Sequence, residues 1–200
     1  MRDLAGRHVG QAAFGHDRRR RVEDHVPGAH RRPRLEPVVA DAMDPDGLAA
    51  AVTGRDAVVS ALGPRPGAGG PVCADGARAI IAAMRAAGSR RLVVVTASGH
   101  IVDEGDGPAS RLVVKPLLRR LLREGFADFA RTDEIVRASG LQWTIMRPPR
   151  LTDGGRRPYR TSIDRNVRGG ITIARADLAH AILAALPDPA AIGHSISLGY

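Results

Sequence analysis

Four short stretches of this 200-residue sequence place polar or small residues directly behind apolar runs, after Ala40, Leu62, Ala97 and Arg147. Asp41 could accept a hydrogen bond from an adenine amino group or cap the helix that follows, and its position leaves both open. Gly63 has no side chain, so a ribose or adenine could lie against its backbone, although a strand-ending turn is the simpler reading. Thr96 and Ser98 stand where a reductase would place a hydroxyl to polarise a substrate carbonyl; the simpler role is to cap a loop. His100 is the nearest histidine, and a solvent-exposed loop position is expected for it. The single lysine, Lys115, is preceded four residues earlier by Arg111, so a Tyr-x-x-x-Lys proton donor is missing. Any proton must then come from solvent or another side chain. The glycines at 67, 69 and 70 superficially resemble a phosphate cradle, but no Gly-Lys-Ser/Thr follows, and a mobile loop is expected instead.

Those residues need a scaffold, and from residue 36 onward short apolar runs alternate with helical patterns, as in a parallel sheet built from strand–helix–strand units. Glu36 to Ala40 reads as a strand. Asp44 and Pro45 then open a helix ending near Gly54, a capping carboxylate followed by a proline in the first turn. Asp56 to Leu62 is a second strand, apolar on both faces as required when helices cover both sides of a sheet. Val72 to Ala87 is a long helix closed by Gly88, and Arg91 to Ala97 a buried strand. A helical region from Ser110 to Ser139, broken near Gly125, leads through Gly140 to the strand Gln142 to Arg147, stopped by Pro148 and Pro149. Ile171 to Ile173, Arg175 to Leu186 and Ser195 to Leu198 read as strand, helix and strand. Open α/β sheets bind ligands at the carboxyl ends of their strands, which is where the four polar loops fall.

Length and a 44% hydrophobic content fit one domain. Aromatic residues make up only 3%, so the core must be built from Val, Ile, Leu and Ala, which excludes an all-β sandwich. The net charge of +9 invites a nucleic-acid reading. Nearly every basic group is arginine, however, as a coding bias would produce. Seven arginines crowd between Arg18 and Arg34 without interleaved aromatics, so a solvated basic segment is preferred to a nucleic-acid patch. The lone Cys73 excludes an internal disulfide and a multi-cysteine metal site, and is compatible with a reducing cytoplasm. No apolar run approaches the ~20 residues of a membrane span, and no signal peptide is recognisable. The oligomeric state is not readable, and a monomer is compatible with the sequence.

The runs DAVVSALGPR (56–65), GARAIIAAMRAAGSRRLVVVTAS (76–98), ASGLQWTIMRPPRLTD (138–153) and RADLAHAIL (175–183) resemble NAD(P)-binding atypical short-chain dehydrogenases. They look like the biliverdin reductase B or flavin reductase group, with the NmrA-like regulators also similar. The resemblance covers residues 36–200 and implies a doubly wound, Rossmann-like α/β domain. Asp41 and Ala42 match the family's adenine-contacting pair, and Leu62, Gly63, Pro64 and Arg65 match its Leu-Gly-Thr-Arg segment, with proline in place of threonine. Thr96, Ala97 and Ser98 match a Thr-Ser-Ala segment whose serine approaches the nicotinamide, the serine here standing one place later. Pro148, Pro149 and Arg150 match Pro-Pro-His beside the substrate; arginine suits an anionic substrate but not neutral acid catalysis. Ser98 and Arg150 are thus the expected catalytic residues. Hydride transfer from NAD(P)H, NADP more than NAD, to a planar flavin, quinone or tetrapyrrole is the implied activity. The alternatives are a non-catalytic, NAD(P)-sensing NmrA-like regulator or an inactive truncated relative.

Residues 1–35 depart from the family. A first strand and Gly-x-x-Gly-x-x-Gly turn, whose glycines let the backbone approach the pyrophosphate, are reduced to Ala5-Gly6-Arg7-His8-Val9, with Gly6 as the last glycine. The second strand is replaced by the arginine-rich stretch. The expectation is a remnant of the first strand–helix–strand unit, produced by a misplaced start with a local frameshift or by truncation.

Overall fold

The β-branched runs Ala57–Ser60 (β1), Arg91–Val95 (β2) and Gln142–Arg147 (β3) lie side by side as parallel strands in the computed structural model. It describes residues 37–63, 70–103 and 123–200, together with Leu112 and Arg120. A fourth parallel strand, His194–Gly199, joins β3, and Arg160–Ile163 closes the sheet antiparallel to it. In chain order the remaining strands are Arg150–Thr152 (β4) and Thr172–Ala174 (β6), which pair in parallel as a separate two-stranded ribbon. Arg160–Ile163 is therefore β5 and His194–Gly199 is β7, and the main sheet runs β1-β2-β3-β7-β5.

Helices cover both faces, which is why the central strands are apolar on both sides. Leu92, Val94 and Ile145 face one core with Pro45–Val52 (α1), Val72–Ala87 (α2) and Val136 of Arg123–Arg137 (α3). The alternate residues Val93 and Met146, with Leu198, face a second core against Arg175–Ala185 (α4). This is the single doubly wound, Rossmann-like domain expected.

Local signals account for most boundaries. Asp44 caps α1, its carboxylate accepting from Asp46 N at 3.1 Å, with Pro45 in the first turn. Gly88 ends α2 at φ 71°, and Ser89 N reaches back to Met84 O at 2.9 Å. Arg91 is buried and donates to Ala185 O, Leu186 O and Gln142 O, so a cation closes the carboxyl end of α4.

Other expectations are corrected. Pro37–Ala40 joins no strand, because a strand needs a ladder partner and none of the described residues supplies one. Gly125 lies within the first turn of α3 rather than breaking it; near a helix end the loss relative to alanine, about 1 kcal/mol, is tolerable. The strand expected at 171–173 is shifted by one residue. Pro148 and Pro149 end β3, yet the chain re-enters a strand at once as β4, and β5 was not foreseen. The basic segment between Arg18 and Arg34 and the helical region before Leu112 lie outside the described residues. No helix among the described residues is long and apolar enough to cross a membrane.

Candidate functional site

Parallel pairing brings the carboxyl ends of β1, β2, β3 and β7 to one edge. The β2–β3 ladder continues beyond its regular residues, with Thr96 N donating to Met146 O and Ser98 N to Pro148 O, both at 2.9 Å. Ser98 and the Pro148–Arg150 turn, fifty residues apart in the chain, are thereby fixed side by side. Ser98 and Ala97 are half-buried, Pro148 is buried, and Arg150 is exposed at the start of β4.

The next loop is assembled around α2. Leu62 is packed so closely on this helix that a Cβ on Gly76 would lie 2.3 Å from Leu62 Cδ1 and 3.7 Å from Ala42 O. Gly76 therefore lets the Asp41–Ala42 turn and the Leu62–Gly63 turn meet across the helix. Ala42 is buried, while Asp41 is exposed and its Oδ1 accepts from Met43 N at 2.9 Å in a local turn. Gly63 is exposed, and a Cβ there would meet nothing within 4 Å among the described residues. An open, side-chain-free backbone beside an exposed carboxylate fits the adenosine half of a dinucleotide, and Ser98 beside Pro148 fits its nicotinamide half. Gly6, Pro64 and Arg65, the other expected cofactor contacts, lie outside the described residues.

The amino end of α2 is not open to an anion. Asp128, buried on α3, accepts from Cys73 N at 2.8 Å and Ala74 N at 2.9 Å, one carboxylate oxygen each. Burial first, then the charge and hydrogen bond of Asp128, push the Cys73 thiol up to about 12.

Directly beneath the row of loops is a buried polar cluster. His100 Nε2 is 3.1 Å from Asp133 Oδ2, and Arg147 Nη2 donates to the same oxygen at 2.5 Å. His100 is only 8% exposed, so the expected solvent-facing position is wrong. Its ring is held inside by Phe126 and Phe129, at centroid distances of 6.5 and 6.2 Å, with Gly99 close against Phe126. Burial alone raises the Asp133 carboxyl, but the hydrogen bond from His100 and the charge of Arg147 outweigh it and hold the group below the ordinary carboxylate range. Thr96 is also buried, and strand alternation from Val94 turns it to the α3 side, the side of Arg147. Thr96 Oγ1, His100 Nδ1, Asp133 Oδ1 and Arg147 Nε have no hydrogen-bond partner among the described residues. One signal for this cluster was in the sequence: Arg147 ends a strand directly after Ile145 and Met146, and a buried arginine must find acceptors, carbonyl oxygens for Arg91 and a carboxylate here.

On the far side of β3, the same edge carries Tyr200 after β7 and Arg160 at the start of β5, paired with Gly199. Arg157, Pro158, Tyr159, Arg160 and Tyr200 line a shallow cleft of about 290 Å³, in which the Arg157 guanidinium lies 3.3 Å from the Tyr200 ring centroid. Tyr200 Oη in turn donates to the fully buried Asp177.

A Rossmann-like sheet with its polar loops gathered on the carboxyl edge defines a nucleotide-binding class of protein. The sequence profile of the NAD(P)H-binding family matches residues 6–189, and the chain belongs to that family. Its fold is similar to a short-chain dehydrogenase/reductase from Veillonella parvula, at 18% identity and a TM-score of 0.76 over 98% of this chain and 84% of that one. It is likewise similar to a short-chain dehydrogenase/reductase from Veillonella parvula in complex with NADP, at 18% identity, TM-score 0.75, and 98% and 84% coverage. It is also similar to ChuY, an anaerobillin reductase from Escherichia coli, at 20% identity, TM-score 0.70, and 95% and 83% coverage. The oxidoreductase ylbE from Lactococcus lactis matches at 20% identity, TM-score 0.70, and 94% and 78% coverage.

Proposed function

We propose that this chain is an NAD(P)H-dependent oxidoreductase of the cytoplasm, reducing a planar acceptor such as a flavin, quinone or tetrapyrrole in the pocket bounded by Gly63, Ser98 and Arg150. The observation that carries this reading is the hydrogen bond from Ser98 N to Pro148 O, which sets a half-buried serine against the turn leading to an exposed arginine. When bound, the dinucleotide supplies the hydride. Asp41, Ala42, Leu62 and Gly63 would hold its adenosine end, with Gly6, Pro64 and Arg65 completing that contact as the family resemblance implies. Thr96 and Ala97 would line the nicotinamide side.

Ser98 orients the acceptor through its hydroxyl, and catalysis is mainly positioning, since no tyrosine acid accompanies it. The proton that accompanies the hydride comes from solvent. Arg150 makes no ion pair with a described residue, and the Arg157–Tyr200 stack along the same edge adds a cationic, flat-faced wall. Both favour an acceptor that is planar and anionic. NADP is preferred to NAD through the family resemblance.

The test is NADPH and NADH consumption with a panel of flavins, quinones and tetrapyrroles. Acceptor-dependent turnover that falls at least tenfold in Ser98→Ala and in Arg150→Ala supports the assignment. Cofactor binding with background consumption across the panel would replace it with non-catalytic sensing.

A further inference from the structure

We infer that Asp133 is the positioning residue of this site, a clasp on α3 whose single oxygen Oδ2 fixes the roots of both loops that face the acceptor. The inference rests on the proposed site, but its geometry is independent of the reaction. Arg147 is the last residue of β3, immediately before Pro148, and His100 lies two residues beyond Ser98. Both engage Asp133 Oδ2, at 2.5 and 3.1 Å, in surroundings where all three side chains are at least nine-tenths shielded from solvent. Beyond the regular ladder, Thr96 N donates to Met146 O and Ser98 N to Pro148 O, and the second of these bonds joins the two loops. A carboxylate placed below that bond and gripping its two flanks controls how far the loops can separate.

The chemistry of the cluster argues against a purely stabilising role. Three ionisable groups are taken out of water, and one polar atom on each of them, plus the Thr96 hydroxyl, has no hydrogen-bond partner among the described residues. Buried ion pairs contribute little net stability compared with an apolar packing of the same volume, because desolvation offsets the attraction. The neighbouring positions Val94, Ile145 and Val136 are apolar and fully buried, so an apolar solution was available to the fold. What the ionic arrangement adds is direction: it accepts only one relative placement of β3's end and the loop after β2. The apolar cage of Phe126 and Phe129 around His100 keeps water from competing for Asp133.

The test follows the exchange of the Ser98 amide by NMR in the full chain, with the amides of α2 as the internal reference, for Asp133→Asn and for the triple variant His100→Phe, Asp133→Leu, Arg147→Met. The triple variant removes all three charges together and is the version expected to keep its fold if the single change does not. The clasp predicts that Ser98 exchanges at least tenfold faster in both, while protection in α2 is unchanged. With an acceptor that turns over, kcat should fall at least tenfold and the Kd for NADPH should move less than threefold, since Asp133 bonds to His100 and Arg147 and not to Asp41, Ala42, Leu62 or Gly63. Unchanged Ser98 exchange in either folded variant, or acceleration shared equally by α2, would overturn the inference. If the wild-type chain turns over no acceptor, the oxidoreductase reading fails and the exchange comparison alone decides the clasp.

Discussion

Replacing Asp128 with alanine tests how α2 is fastened. Its carboxylate accepts two main-chain N–H groups from the first turn of α2, at 2.8 and 2.9 Å, and is 5% exposed. Alanine would leave both donors buried without a partner, at roughly 1–3 kcal/mol each, and would remove a negative charge from the positive end of the helix, worth up to about 2 kcal/mol in a buried setting. Partial relaxation reduces the sum, and about 3 kcal/mol of destabilisation is expected. In a protein of this size that lowers Tm by about 6–12 °C. Asparagine, which keeps one acceptor, should lose about half as much. Guanidinium unfolding of the three proteins measures the series. Because Leu62 O accepts from Cys73 Sγ and Leu62 packs on Gly76, the alanine variant should also loosen the Leu62–Gly63 turn and weaken dinucleotide binding. A loss below about 1 kcal/mol would refute the argument, for it would mean that water or a shifted helix satisfies those donors.

Cys73 should resist alkylation in the folded chain: a thiol moved from 9.0 to about 12 holds roughly a thousandfold less thiolate at pH 8, and modification should track unfolding rather than thiol chemistry. Gly199→Ala should cost about 1–3 kcal/mol in thermal or chemical unfolding, because its Cβ would lie 2.8 Å from the Gly170 Cα and backbone there cannot swing aside. The Asp133 carboxyl titrates below its ordinary value of 3.8, so its contribution is present above that value and is lost as pH falls through the lower, folded one. Wild-type stability should therefore decline on acidification below about pH 4, more steeply than that of Asp133→Asn; equal slopes in denaturant titrations would contradict the assignment.

The signals that were readable are the ones that act locally. Asp44-Pro45 and Gly88 set the ends of α1 and α2 through their own backbone, and β1, β2 and β3 announced themselves because both faces are apolar. The strand expected at 36–40 failed for a non-local reason, since apolar residues make a strand only beside a partner. β4 is three residues long and depends on β6, more than twenty residues away, and β5 is a largely exposed edge without clear alternation. Positions of the site on the strand ends were legible for the same reason as the strands. The support beneath them was not: His100, Asp133 and Arg147 come from a loop, a helix and a strand, and His100 looked exposed because nothing in Ser98-Gly99-His100 foretells Phe126 and Phe129 closing over it.

Calorimetric titration of NADPH and then NADH into the 200-residue chain, and into Gly63→Val, tests the central claim most directly. A Cβ at Gly63 meets no atom of the described residues within 4 Å, so the variant should fold as the wild type does and report on the ligand. The account predicts NADPH binding with a Kd below ~10 μM, about −7 kcal/mol, weakened more than tenfold by Gly63→Val at unchanged Tm. No detectable binding of either nucleotide, or binding indifferent to Gly63→Val, would contradict a dinucleotide site at the carboxyl ends of β1, β2 and β3.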